Sequence, residues 1–81
     1  MKLPRDVSGA SLAKALAPLG YHVTRQTGSH MRLTYERPKQ HHITIPAHDL
    51  LRIGTLSAIL GDVAAQQGLT RDELLARLFG R

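Results

Sequence analysis

The sequence predicts an α+β fold: a three-stranded antiparallel sheet with helices on one face and a short extra helix at the C-terminal end. Three observations predict it. Apolar residues recur at helical spacing over residues 12–19 and again over 56–63. Between those runs lie three short segments of strand character. The turns that separate them are too short to hold a crossover helix, so the strands form an antiparallel meander.

The elements follow in order. Ser8 caps a first helix that Gly9 and Ala10 open and that buries Leu12, Ala15, Leu16 and Leu19; Pro18 and Gly20 end it. Residues 21–27 form the first strand, carried by Tyr21, Val23 and Thr24, and Gly28-Ser29 supplies the turn. In the second strand, residues 30–35, Met31, Leu33 and Tyr35 share one face while His30, Arg32 and Thr34 share the other. A polar loop over 36–40 contains Pro38. The third strand, residues 41–45, sets Ile43 and Ile45 against His42 and Thr44, and Pro46 closes it. Gly54-Thr55 opens a second helix with Thr55 as its cap; Leu56, Ile59, Leu60 and Val63 form its apolar stripe, Gly61 weakens it and Gly68 stops it. Thr70 to Glu73 reads as a capping box that starts a third helix bearing Leu74, Leu75, Leu78 and Phe79.

The chain has 81 residues, one domain over 1–81 with a core of about 2–66 and a helical extension over 69–81. Eleven Lys and Arg against six Asp and Glu give a net charge of +5, which points to an anionic partner. A membrane is disfavoured, because no apolar run reaches the roughly 20 residues of a spanning helix and the basic residues are spread along the chain. With no cysteine there is no disulfide, thiolate nucleophile or thiolate zinc site. Met1-Lys2 runs into Leu3-Pro4-Arg5 with no apolar signal segment, so a cytoplasmic location is expected.

The strand parity carries the functional reading. If Leu33 shares the core face with Ile43 and Ile45, then His30, Arg32 and Thr34 share the opposite face with His42 and Thr44. The partner of His30 falls near residues 46–48, which brings His48 within possible reach of it. Histidine, with an ordinary pKa near 6.5, both takes and gives a proton at cellular pH. RNA brings its own nucleophile, the 2′-hydroxyl. Its cleavage without a metal requires a base, a donor for the leaving 5′-oxygen and positive charge at the phosphorus. His30 can supply the first or the second. Arg32 and the backbone N–H groups at Gly28 and Ser29 can hold the phosphate, and Arg25, Arg37 and Lys39 add charge near the strands and the hairpin loop.

At these residues the chain resembles a family. Gly28-Ser29-His30, then His42-Ile43-Thr44-Ile45-Pro46-Ala47-His48, then Leu51-Arg52-Ile53-Gly54-Thr55-Leu56 and Ile59-Leu60, together with the opening from Leu3-Pro4 to Gly20, look like the HicA toxins. The resemblance covers about residues 2–66. It implies a double-stranded-RNA-binding-domain-like fold, α-β-β-β-α. It also implies mRNA cleavage through one histidine, matched here by His30, with no metal cofactor and with a HicB-type antitoxin as inhibitor. His41-His42 stands where many relatives have His-Pro, and the segment from Gly68 onward extends past the compact members.

On this reading His30 is the catalytic residue of an endoribonuclease toxin, and Gly28, Ser29, Arg25, Arg32, Lys39, His42 and His48 contact RNA. His22 has no site role. A zinc site from His41, His42 and His48 is not expected, since adjacent strand residues point to opposite faces and no fourth ligand is evident. Two rival readings use the same fold: a non-catalytic RNA-binding module, and a protein-interaction module whose basic face meets an acidic partner.

Overall fold

The computed structural model describes residues 3–36 and 39–80. Arg37 and Pro38, expected in the polar loop, lie outside the described residues. The first helix, α1 (Gly9–Leu16), begins where the sequence places it. The Ser8 hydroxyl accepts the Ser11 N–H (3.0 Å) and the Ser11 hydroxyl accepts the Ser8 N–H (3.1 Å), so two of the helix's unpaired donors are satisfied reciprocally. A single 3₁₀ turn over Ala17–Leu19 carries Pro18, and Gly20 ends it at φ 103°.

Three strands follow: β1 (His22–Thr27), β2 (His30–Tyr35) and β3 (His41–Pro46), antiparallel in the order β1-β2-β3. Gly28, at φ 55°, allows the two-residue turn that pairs Thr27 with His30. Across β2 and β3, Leu33 faces Ile43 and Met31 faces Ile45, and all four are buried on the helix side. His30 faces Pro46, Arg32 faces Thr44 and Thr34 faces His42 on the other side, the parity that the alternation predicts.

Three features depart from the sequence reading. Tyr21 precedes β1 and is wholly buried, seated among the helix-side residues. β1 itself, an edge strand, is exposed along its whole length, with Val23 47 % exposed, although α1 packs beside it. Between Val23 and Arg25 the register slips: Val23 pairs with Leu33, Arg25 with Arg32, and Thr24 is the extra residue of a β-bulge.

The second helix, α2 (Ile53–Gln67), starts three residues earlier than expected. Its cap is Arg52, which has extended backbone and no side-chain cap bond, and Thr55 lies inside the first turn. The start is set by anchoring: Leu51 is buried and its N–H donates to the Val7 carbonyl (2.8 Å), so the chain turns into the helix directly after it. Gly68 stops α2 at φ 67°, as expected. The third helix, α3 (Arg71–Phe79), has the expected capping box, in which Thr70 and Glu73 satisfy one another's backbone N–H groups. These bonds hold the Glu73 carboxyl below its ordinary pKa. Leu74 and Leu75 are buried in the same apolar cluster as Leu12, Leu33, Ile45 and Leu60, so this helix completes the core. Gly61, read as a weak point, has Arg71 lying across it; the guanidinium donates to the Ser57 hydroxyl and carbonyl and ties α3 to α2.

Two close contacts hold the helices to the sheet. Gly9 is buried against the end of β3: a β-carbon there would overlap the Pro46 carbonyl, and the Gly9 N–H donates to the His48 carbonyl (2.9 Å). His41 bridges three elements. Its Nε2 lies 3.1 Å from Asp62 Oδ1 of α2, and its Nδ1 lies 2.6 Å from the Tyr21 hydroxyl. Because a carboxylate only accepts, the neutral ring carries its hydrogen on Nε2 and the phenol donates to Nδ1. The Tyr21 ring also packs on Tyr35 at 5.3 Å.

Gly9→Ala is expected to destabilise the protein by about 3 kcal/mol, since backbone on both sides must shift; a denaturant midpoint equal to that of the parent protein would refute the close seat of α1 on β3. Burial pushes the Tyr21 phenol above its ordinary pKa of about 10, with the Gln67 amide acting the other way and the Asp62 charge adding to the rise. A group raised on folding contributes fully below its unfolded pKa and loses that contribution as pH rises through the folded one. Stability should therefore fall as pH climbs past about 10. Tyr21→Phe should flatten that fall while costing about 1 kcal/mol at neutral pH through the lost bond to His41. Denaturant melts at neutral and alkaline pH check both; parallel profiles for the two proteins would assign the alkaline loss to another group.

Candidate nucleic-acid interface

His30 is the first residue of β2, exposed on the sheet face away from the helices. The Gly28-Ser29 turn sits directly before it, and the Ser29 carbonyl accepts the Ala47 N–H (2.6 Å), which carries the β2–β3 pairing one step past Pro46. The backbone is thus held on both sides of His30, by Thr27 in one direction and by Pro46 in the other. Among the described residues, its imidazole has no hydrogen-bond or ion-pair partner.

Arg32 follows two residues along the same face, about 7 Å further up the strand. The bulge brings Arg25 directly opposite it. Two like charges facing each other across a ladder repel, and among the described residues neither guanidinium has an acidic partner within ion-pair distance. That pair places two uncompensated positive charges side by side on the open face.

Beyond the arginines lies an open pocket of about 300 Å³, lined by Thr24, Arg25, Arg32, Thr34, Glu36, Gln40 and His42. Thr34 is on the open face as parity requires, yet it is only 2 % exposed. Its hydroxyl lies 2.8 Å from that of Thr24 and 2.9 Å from His42 Nδ1. The bulge is the reason: it turns both Thr24 and Arg25 toward this face, where a regular strand would show only one of them. At the pocket's far wall Gln40 Nε2 donates to Glu36 Oε1 (3.3 Å), and Glu36 Oε2 lies 3.8 Å from His22 Nε2.

The structure therefore gathers Arg25, Arg32 and His42 into one site, with His30 on the same face at its turn end. Lys39 and His48 lie apart from the pocket. The Lys39 carbonyl accepts from Gln66 of α2 (3.3 Å), and the His48 carbonyl is held by the start of α1, which draws both backbone segments toward the helix layer. Arg37 lies outside the described residues. Sequence reasoning missed Thr24, Glu36 and Gln40 as pocket residues, because only the bulge and the return of the hairpin loop bring them together. His41 and His42 point to opposite faces, and among the described residues no three His, Asp or Glu side chains converge as a metal site. Among the same residues, no helix is long and apolar enough to cross a membrane.

An exposed imidazole beside an unpaired arginine couple, on a flat face with an adjoining pocket, can bind a polyanion and move a proton at it. Neither a curated protein nor a solved structure matches the chain significantly. The family model for the HicA toxin of bacterial toxin–antitoxin systems matches residues 9–68, a span that runs from the first residue of α1 to the glycine that ends α2 and takes in the whole sheet. The chain belongs to the HicA toxin family, as a toxin whose counterpart is an antitoxin.

Proposed function

We propose that the protein is the toxin of a type II system and a metal-independent endoribonuclease, which cleaves mRNA on the open sheet face through His30 and so inhibits translation. The observation that carries this reading is the exposed His30 imidazole two residues from the unpaired Arg25–Arg32 couple. The arginines draw the phosphodiester down and offset the charge that develops on it. The 2′-hydroxyl attacks phosphorus, its proton leaves, and the 5′-oxygen departs with a proton gained, giving a 2′,3′-cyclic phosphate and a 5′-hydroxyl end. His30 serves one of these two proton transfers. Gly28 and Ser29 present it at the strand end, and Lys39, His42 and His48 add contacts along the RNA. The substrate is single-stranded or loosely paired, because the 2′-oxygen has to swing into line with the leaving oxygen. A HicB-like antitoxin neutralises the toxin by covering His30 or by blocking access of RNA to this face.

In RNA cleavage with chelator present, His30→Ala should lose at least about 100-fold in rate while RNA binding stays within about twofold. Equal cutting by both proteins would overturn the reading. Binding by both with cutting by neither would leave the RNA-binding module. Binding to single-stranded RNA should weaken linearly in a log–log plot against salt, and Arg25→Ala or Arg32→Ala should each reduce the slope by about 0.7; an unchanged slope would remove that arginine from the phosphate contacts.

A further inference from the structure

The hydroxyl chain under the pocket has a direction. The Thr24 hydroxyl donates to the Arg32 carbonyl (3.4 Å), and a hydroxyl has one hydrogen. The Thr34 hydroxyl, 2.8 Å away, therefore donates to Thr24, and His42 Nδ1–H donates to Thr34. The hydrogen on Nδ1 is assigned from this network. It holds the ring on the pocket wall and leaves Nε2 free of any partner among the described residues. The chain stays intact when Nε2 gains a proton, so His42 can present a charged donor to an anion without rearrangement. Three strands then bring two guanidinium groups and an imidazole to one space: Arg25 from β1, Arg32 from β2 and His42 from β3. The opposite wall is of another kind. Gln40 gives one of its two amide hydrogens to Glu36, which leaves the carboxylate and the amide oxygen as acceptors beside one remaining N–H.

We propose that this pocket is a nucleotide subsite. It holds the phosphate of one nucleotide unit between Arg25, Arg32 and His42, and takes a base that bears an amino group against Glu36 and Gln40. About 300 Å³ is room for a single nucleotide and too little for two. The inference rests on the RNA-cleaving reading above. In that reading the phosphate between Arg25, Arg32 and His42 is the scissile one, two residues or about 7 Å up the strand from His30, and the base taken against Glu36 and Gln40 belongs to a nucleotide flanking the cut. His42 is a binding and positioning residue here and takes no part in the bond changes. Uracil, whose edge has no amino group to offer the Glu36 carboxylate, is the disfavoured base.

The test is an NMR titration of the full chain with adenosine 5′-monophosphate, uridine 5′-monophosphate or inorganic phosphate, following the His42 and His30 ring signals and the Arg25 and Arg32 side-chain signals. Adenosine monophosphate should move His42, Arg25 and Arg32, and should bind several-fold tighter than either other probe. His42→Ala should weaken it about tenfold. Thr34→Val, which keeps the buried shape and removes the acceptor for Nδ1–H, should weaken it in the same direction. His30→Ala should bind it as the parent protein does, so that a failure of the catalytic reading leaves this result standing. In RNA cleavage His42→Ala should raise KM with kcat within about twofold. Inorganic phosphate binding as tightly as the nucleotide would reduce the pocket to a simple anion site and overturn the proposal. So would shifts confined to other residues, affinity unchanged in His42→Ala, or a loss in kcat alone.

Discussion

Leu33 against Ile43 and Met31 against Ile45 are the pairs on which the molecule depends. They are the cross-strand contacts that the helices cover, and burial of such side chains contributes about 1.5–3 kcal/mol each. A slip of one residue between β2 and β3 would set Ile43 and Ile45 on the face opposite Met31 and Leu33, so that one apolar pair meets solvent and either His42 or His30 and Arg32 turn inward. The free energy of the core thus decides which side chains meet a ligand. The basic face is the remainder left when the apolar residues of two alternating strands have been buried.

β1 adds what the core does not dictate. It is an edge strand whose residues are all exposed, so its side chains do little for the core and are free to serve the outer face. Its bulge sets Arg25 opposite Arg32, a repulsive arrangement that a stability-driven sequence would avoid. A repulsive pair on an open face, with no acidic partner within ion-pair distance among the described residues, supports the proposed anion-binding role of this face. The buried Thr34 hydroxyl belongs to the same construction: it is a polar group removed from solvent whose bonds are all made to other pocket groups.

The adjacent histidines show how far neighbours in sequence can differ in role. His41 is held from both ring nitrogens by Tyr21 and Asp62 and joins β3 to α2 and to the entry of β1. His42 is held from one nitrogen and presents the other to the pocket. With both nitrogens engaged, His41 has neither a free lone pair nor a free proton for a substrate, and its contribution is to stability. The C-terminal helix makes a comparable contribution, since Leu74 and Leu75 fill the core under α1 and α2, and Arg71 crosses Gly61 to lock the two last helices together.

Local patterns in the sequence determined the element types, the strand parity, the cap at Ser8, the capping box at Thr70, the turn at Gly28 and the stop at Gly68, because each rests on residues within one turn or one strand of each other. They also determined that His30, Arg32 and His42 share a face, since parity propagates along a strand without further information. The tertiary structure alone decided the bulge at Thr24, the start of α2 at Ile53, the burial of Tyr21 and Thr34, and the meeting of Glu36 and Gln40 with His42. These depend on which strand lies exposed at the sheet edge and on where Leu51 is anchored. Such features arise from packing between segments far apart in the chain, which no local pattern encodes.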